Sequence, residues 1–185
     1  MNFKRNAMII LSLIICLTFL PNAAAENVDA QIFKDKYNLQ QHSEGGWFAE
    51  IYTAPFKQKK HRATAGSIYF LLEREDISHF HQLDCDEIWY YHAGCGMKIF
   101  VLQDGQVKEF LLTSGAEENS QPMVVIPAGA IFAAENLDKD GYTFISCVTT
   151  PRFDYKGFRL ISKAELKKIY PRISENLLRM AYDKI

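Results

Sequence analysis

No two of the four cysteines stand in a C-x-x-C spacing; Cys16, Cys85, Cys95 and Cys147 are scattered singly. That removes zinc ribbons and thioredoxin-like dithiols from consideration. An excess of one charge is missing too. The chain has 21 Lys and Arg against 22 Asp and Glu, a formal net charge of -1. No basic stripe runs along it, so nothing argues for a nucleic-acid partner. The single short basic run, KQKKHR at 57–62, reads as a solvated loop. There is no Ser-His-Asp order and no glycine loop of the kind that cradles phosphate, which sets aside serine hydrolases and nucleotidyl enzymes. No internal repeat or low-complexity segment is present. No apolar run reaches the ~20 residues needed to span a bilayer.

The longest apolar run, roughly 14 residues at 7–20, has another reading. It follows Lys4 and Arg5 and leads through Pro21 to Ala23 and Ala25, an A-x-A cleavage site. Residues 1–25 are therefore expected to be a secretory signal peptide, and the mature protein secreted or periplasmic, with no stable membrane span. An uncleaved anchor is the alternative. Cys16 does not make a lipoprotein site, because bulky Ile15 precedes it. Without Lys4 and Arg5 the 21 basic side chains become 19 against 22 acidic ones, a charge of -3. Three cysteines remain, and an odd number leaves at least one unpaired in an oxidising compartment. Two further segments are expected, a domain at 26–171 and a helical tail at 172–185.

With 48% hydrophobic and 13% aromatic residues, a single packed domain is expected. VDAQIFKDKYNL reads as a short helix that Asp29 can cap, with Ile32, Phe33 and Tyr37 on one face. From 47 to 150 the pattern is about nine short β-type segments separated by Gly, Asp, Asn or Pro, with no helix between them. Asp104-Gly105 joins two of them as a two-residue hairpin turn. Ser162 and Glu165 form a capping-box pattern, Pro171 ends that helix, and SENLLRMAYDKI supplies a final one with Leu177, Leu178, Ala181 and Tyr182 inward. The fold class is all-β, a barrel or sandwich with short terminal helices.

The chemistry concentrates at 79–94, HFHQLDCDEIWYYHAG. Alternate strand residues share a face, so His79 and His81 point together if the strand is regular, and Glu87 can return to them after the polar turn. Two readings follow. In the first, His79, His81 and Glu87 hold a divalent first-row transition metal such as iron, manganese, zinc or nickel. In the second, the pocket works without metal. A buried Glu87 then pairs with His81 or raises its pKa, and the two act as acid and base. Trp89 and Tyr91 fall on the Glu87 face. Glu50 shares a face with Phe48 and Tyr52, and Gln121 could present an amide. Tyr69, Trp89 and Phe153 could stack on a sugar ring. His42 and His61 lie in loop-like segments and are expected to be exposed; His92 faces away from Glu87.

HFHQLDCDEIWYYHAG resembles the first motif of the cupin superfamily, H-x-H-x5-E-x6-G. PAGAIFAAEN at 127–136 resembles the second, P-x-G-x2-H-x3-N, with Phe132 where the fourth ligand histidine would stand. HSEGGWFAEIYT, SIYFLL, VVIPAGAIFAAE and CVTTPRFDYKGFRL extend the resemblance over about 39–171, to the uncharacterised family labelled cupin five. Ser43, Gln82 and Arg152 depart from its usual proline, arginine and glycine. The resemblance implies a double-stranded β-helix, commonly a homodimer through a strand-exchanging face, shaped like sugar-nucleotide epimerases. The functional expectation is a small polar, sugar-like ligand bound by Glu50, Tyr69, Trp89, Gln121, Phe132 and Phe153. His81 and Glu87 would either catalyse an isomerase or epimerase reaction or serve a binding module without catalysis.

Overall fold

The computed structural model describes residues 30–55 and 62–185. The leader at 1–25, the Asp29 cap and His61 lie outside these residues. The chain runs α1 (Ala30–Tyr37), β1 (Gln40–Gln41), β2 (Trp47–Thr53), β3 (Gly66–Glu73), β4 (Ile77–Leu83), β5 (Asp86–Gly94), β6 (Met97–Gln103) and β7 (Gln106–Leu112). It continues with β8 (Ser120–Gln121), β9 (Met123–Ile126), β10 (Ile131–Asn136), β11 (Tyr142–Thr150), a 3-10 turn at Tyr155–Gly157, β12 (Phe158–Leu160), α2 (Lys163–Ile169) and α3 (Glu175–Leu178). Two six-stranded sheets face each other, ordered β1-β2-β3-β11-β5-β9 and β12-β4-β10-β6-β7-β8. This is a double-stranded β-helix with short terminal helices.

Local chemistry places the turns. Asp104 and Gly105 take φ of 52° and 75° between the paired Gln103 and Gln106. Positive φ at both positions is the mirror-image turn whose twist matches antiparallel strands. The Ser162 hydroxyl accepts from the Glu165 amide at 3.3 Å, completing the cap of α2.

Three apolar clusters hold the fold. Phe70, Leu72, Trp89, Met97, Ile99, Ile126, Phe132 and Ile145 fill the space between the sheets. α1 packs Phe33 and Tyr37 onto the outer face of the first sheet, against Leu71, Tyr69 and Phe144. The C-terminal segment covers the outer face of the second sheet, where Leu166, Leu177, Leu178 and Met180 bury Phe80, Phe100 and Ile131. Hydrogen bonds seat that tail: the Phe80 amide donates to the Met180 carbonyl and Lys163 to Tyr182, each at 2.9 Å. Cys85, Cys95 and Cys147 are free thiols. Among the described residues no helix is long and apolar enough to cross a membrane.

One irregularity decides the site. In the β4–β10 pairing, Phe132 opposes His81 but Ala134 opposes Ser78, so His79 and Phe80 face the single Ala133. This is a β-bulge, and it breaks the alternation of side chains along β4.

Candidate functional site

Between the sheets, toward one end, lies a cavity of about 420 Å³. Its wall includes the aromatic rings of His42, Phe48, Phe70, Phe153 and Tyr155. Its polar lining includes Glu44, Glu50, Glu87, Asp154, Thr149 and Arg152.

Glu44 organises the floor. Residues 43–46 form a tight turn pressed onto β4; a Cβ on Gly45 (φ 107°) would stand 2.1 Å from the Ile77 carbonyl oxygen. The turn carries the Glu44 carboxylate inward, where it is only 7% exposed. The Ser78 hydroxyl donates to its Oε1 at 2.8 Å, while His42 Nδ1 and His81 Nε2 each lie 3.3 Å from Oε2. Ser78 and His81 reach the same carboxylate because the bulge between them reverses the alternation. Burial alone would push the Glu44 carboxyl up, but His81, His42 and Ser78 together bring it below its usual range.

His81 is 1% exposed. Its Nδ1 donates to the His79 carbonyl at 2.7 Å, which leaves Nε2 directed at Glu44 Oε2. Burial lowers the His81 pKa, opposed by the Glu44 charge and the His79 carbonyl.

Glu87 enters from β5. It is 7% exposed, and its Oε2 has no hydrogen-bond partner. Burial, and then the Glu44 charge, push its carboxyl up to about 8; the neighbouring Trp89 indole and Cys147 thiol offset this in part. Glu87 therefore stands as a neutral acid at pH 7, facing an ionised Glu44. Burial, then Glu87 and Glu44, hold the Cys147 thiol well above the ordinary range.

At the rim, the Arg152 guanidinium donates from Nη2 to both Glu50 oxygens, at 2.8 and 2.9 Å, and from Nε to Glu50 Oε1 at 3.1 Å and Thr53 Oγ1 at 3.0 Å. Thr53 and Arg152 hold the Glu50 carboxyl below its usual range.

Of the residues singled out from sequence, Glu50, Glu87 and Phe153 line the cavity and His81 lies just beneath it. Others are elsewhere. Tyr69 faces outward, beneath Tyr37 and Phe144, because Ile68 and Phe70 take the inward positions on either side. Trp89 and Phe132 point inward but lie in the filled part of the barrel, each 1% exposed and 6.0 Å apart. Gln121 sits on the two-residue β8 at the far end of the second sheet. His42 is not exposed; its side chain is 7% accessible and its ring meets Phe48 edge-on at 4.8 Å. Sequence reasoning missed His42 and Glu44, although HSEGGWF offered a signal: two polar side chains before a Gly-Gly turn.

The donor set does not fit a metal at His79, His81 and Glu87. The bulge turns His79 aside, with its ring stacked 4.0 Å from Tyr182 and its Nδ1 donating to the Glu44 carbonyl at 2.8 Å. Both His81 nitrogens are occupied, and the Phe132 ring lies 4.0 Å from the His81 ring where a fourth ligand would approach. Among the described residues no three His, Cys, Asp or Glu side chains gather as metal ligands.

Residues 31–161 match the profile of a family described as cupin superfamily (DUF985). The chain belongs to that cupin family. It is 28% identical over 158 residues to the uncharacterized protein YML079W of Saccharomyces cerevisiae, covering 75% of this chain and 78% of the yeast protein. Two solved structures are similar. Protein SO0799 from Shewanella oneidensis has 30% identity and a TM-score of 0.78, covering 83% of this cupin and 97% of that chain. A hypothetical protein from Leishmania major has 29% identity and a TM-score of 0.75, covering 83% and 99%.

Proposed function

We propose that this cupin binds a small polar, sugar-like molecule in the barrel cavity and moves a proton on it, as an isomerase or epimerase does. The observation that carries this reading is the Glu87 carboxyl, which lines the cavity, is buried, leaves Oε2 unpaired and is held near pH 8. A buried acid poised near neutrality suits general acid–base work. In this scheme Glu87 gives its proton to a substrate carbonyl oxygen. The proton on the adjacent carbon passes to the Glu44–His81 pair, and the C–H electrons form the enediol double bond. Reversal with the proton returned to the other face, or to the neighbouring carbon, completes epimerisation or isomerisation.

The leader pattern at 1–25 supports export as part of this reading, and export favours a substrate found outside the cytoplasm. Association as a homodimer is supported by an uncovered apolar strip on the first sheet, where Tyr90 pairs with Met123 beside exposed Val125.

The test is a thermal-shift screen of aldoses, ketoses, amino sugars and sugar acids, followed by proton NMR in deuterated water. Deuterium wash-in at the carbon beside the carbonyl, lost in Glu87→Gln while binding persists, is the expected result. Binding without any wash-in in the unmutated protein would make this a binding module instead.

A further inference from the structure

Resting on that reading of the cavity as the ligand site, a narrower statement about the ligand follows from its walls. Three carboxylates, Glu44, Glu50 and Asp154, stand around the cavity against a single guanidinium, Arg152. The charge of that guanidinium is matched by Glu50: its Nε and Nη2 make four hydrogen bonds to Glu50 and Thr53. The other arginine near the mouth, Arg62, is likewise committed, with Nη1 2.8 Å from Asp84 and its Nε donating to the Arg152 carbonyl. An anionic substrate would meet, among these groups, no cation that lacks a carboxylate partner.

The aromatic surfaces point the same way. Phe153 and Tyr155 meet edge to face with centroids 4.9 Å apart, and Phe48 lies across from them beside His42. Rings offer a negative face, and a group of rings ringed by carboxylates favours a desolvated positive charge. Glu87 adds the independent sign that something is missing: a carboxyl 93% withdrawn from solvent, lining the space, with an oxygen that has no partner inside the protein.

We propose that the cavity takes an organic cation, a small polar molecule carrying a protonated or quaternary amine. The amine sits against Phe48, Phe153 and Tyr155 within reach of the carboxylates, and the rest of the polar frame extends toward Glu87. This narrows the sugar-like class to its amine-bearing members.

Matched probes test charge at constant shape. Glucosamine is compared with glucose and glucuronate, and choline with its uncharged carbon isostere 3,3-dimethylbutan-1-ol, all by calorimetric titration into the intact mature protein. At least one cation is expected to bind tenfold or more tightly than its neutral partner, and that preference is expected to shrink in Asp154→Asn and to persist in Glu87→Gln, where a neutral amide replaces a neutral carboxyl. Because either variant could be misfolded, each is first checked for the unmutated circular-dichroism spectrum and a cooperative melt. Equal or weaker binding of both cations relative to their neutral partners overturns the inference, as does tightest binding of glucuronate. Glucose binding with no cation preference would overturn it while leaving the sugar-like reading intact. No binding of either cation at millimolar concentration also overturns it.

Discussion

Replacing Glu87 with glutamine should change how stability depends on pH more than it changes stability itself. Glutamine has the shape of the protonated carboxyl, so at pH 5 the two proteins are expected to be about equally stable. The folded-state pKa is about 8, against 4.5 for the free side chain. Between those values the folded protein holds a proton that the unfolded chain releases, so stability falls as pH rises. The contribution is full below about pH 4.5 and is lost progressively up to about pH 8. Each pH unit in that window removes about 1.4 kcal/mol, or roughly 5 kcal/mol across it. The group is almost fully buried, so solvent screening does not reduce the figure much. Glu44 and His81 titrate in the opposite sense: their folded pKa values are lowered, so what they contribute is lost as pH falls. They are present in both proteins, so the difference between the two urea-denaturation curves isolates Glu87. Glu87→Gln is expected to become the more stable protein by several kcal/mol between pH 5 and pH 9. A difference that stays flat over that range would refute the argument, because it would mean that Glu87 is ionised, or solvated, in the folded state.

Three other outcomes are expected. Phe132→Ala should cost about 3–5 kcal/mol in urea unfolding, since a ring 1% exposed is removed from between His81 and Trp89. Arg152→Gln should cost less than about 1 kcal/mol, because Arg152 and Glu50 are 39% and 47% exposed, yet it should strengthen the binding of choline or glucosamine by releasing Glu50. In the native protein at pH 8, Cys85 and Cys147 should resist a thiol reagent that reacts with both after unfolding, because burial raises Cys85 to about 11 and holds Cys147 well above the ordinary thiol range.

The strand pattern, the Asp104-Gly105 hairpin, the Ser162 cap and the inward Glu87 were all legible, because each depends on neighbours within a few residues. Trp89 and Phe132 show where that legibility ends. Alternation reports which face of a strand a side chain takes, but not whether that face meets the open or the filled part of the barrel. Tyr69 shows another limit, since α1 supplies a second apolar surface outside the sheet and an aromatic residue suits either side. His79 was assigned to the site by assuming a regular strand, and one bulge opposite Ala133 removed it. Glu44 was invisible for a different reason: its role comes from a contact across 37 residues with His81, made by a turn whose shape depends on Gly45 and Gly46.

That turn gives the sharpest link between backbone and chemistry. Gly45 has φ 107°, which side chains rarely adopt, and a Cβ there would meet the Ile77 carbonyl oxygen at 2.1 Å. In Gly45→Ala the turn must lift from β4, and Glu44 must move away from Ser78 and His81. Two effects follow with different signatures. Stability should fall by several kcal/mol at every pH, as strain and the broken floor contacts require. Separately, Glu87 should lose the nearby charge that helps to keep it protonated, so the pH window in which the protein loses stability should end below about 8. Urea unfolding of Gly45→Ala across the pH range measures both. A variant that is destabilised but keeps the Glu87 window unchanged would show that Glu44 does not set the acidity of Glu87, and that burial alone does.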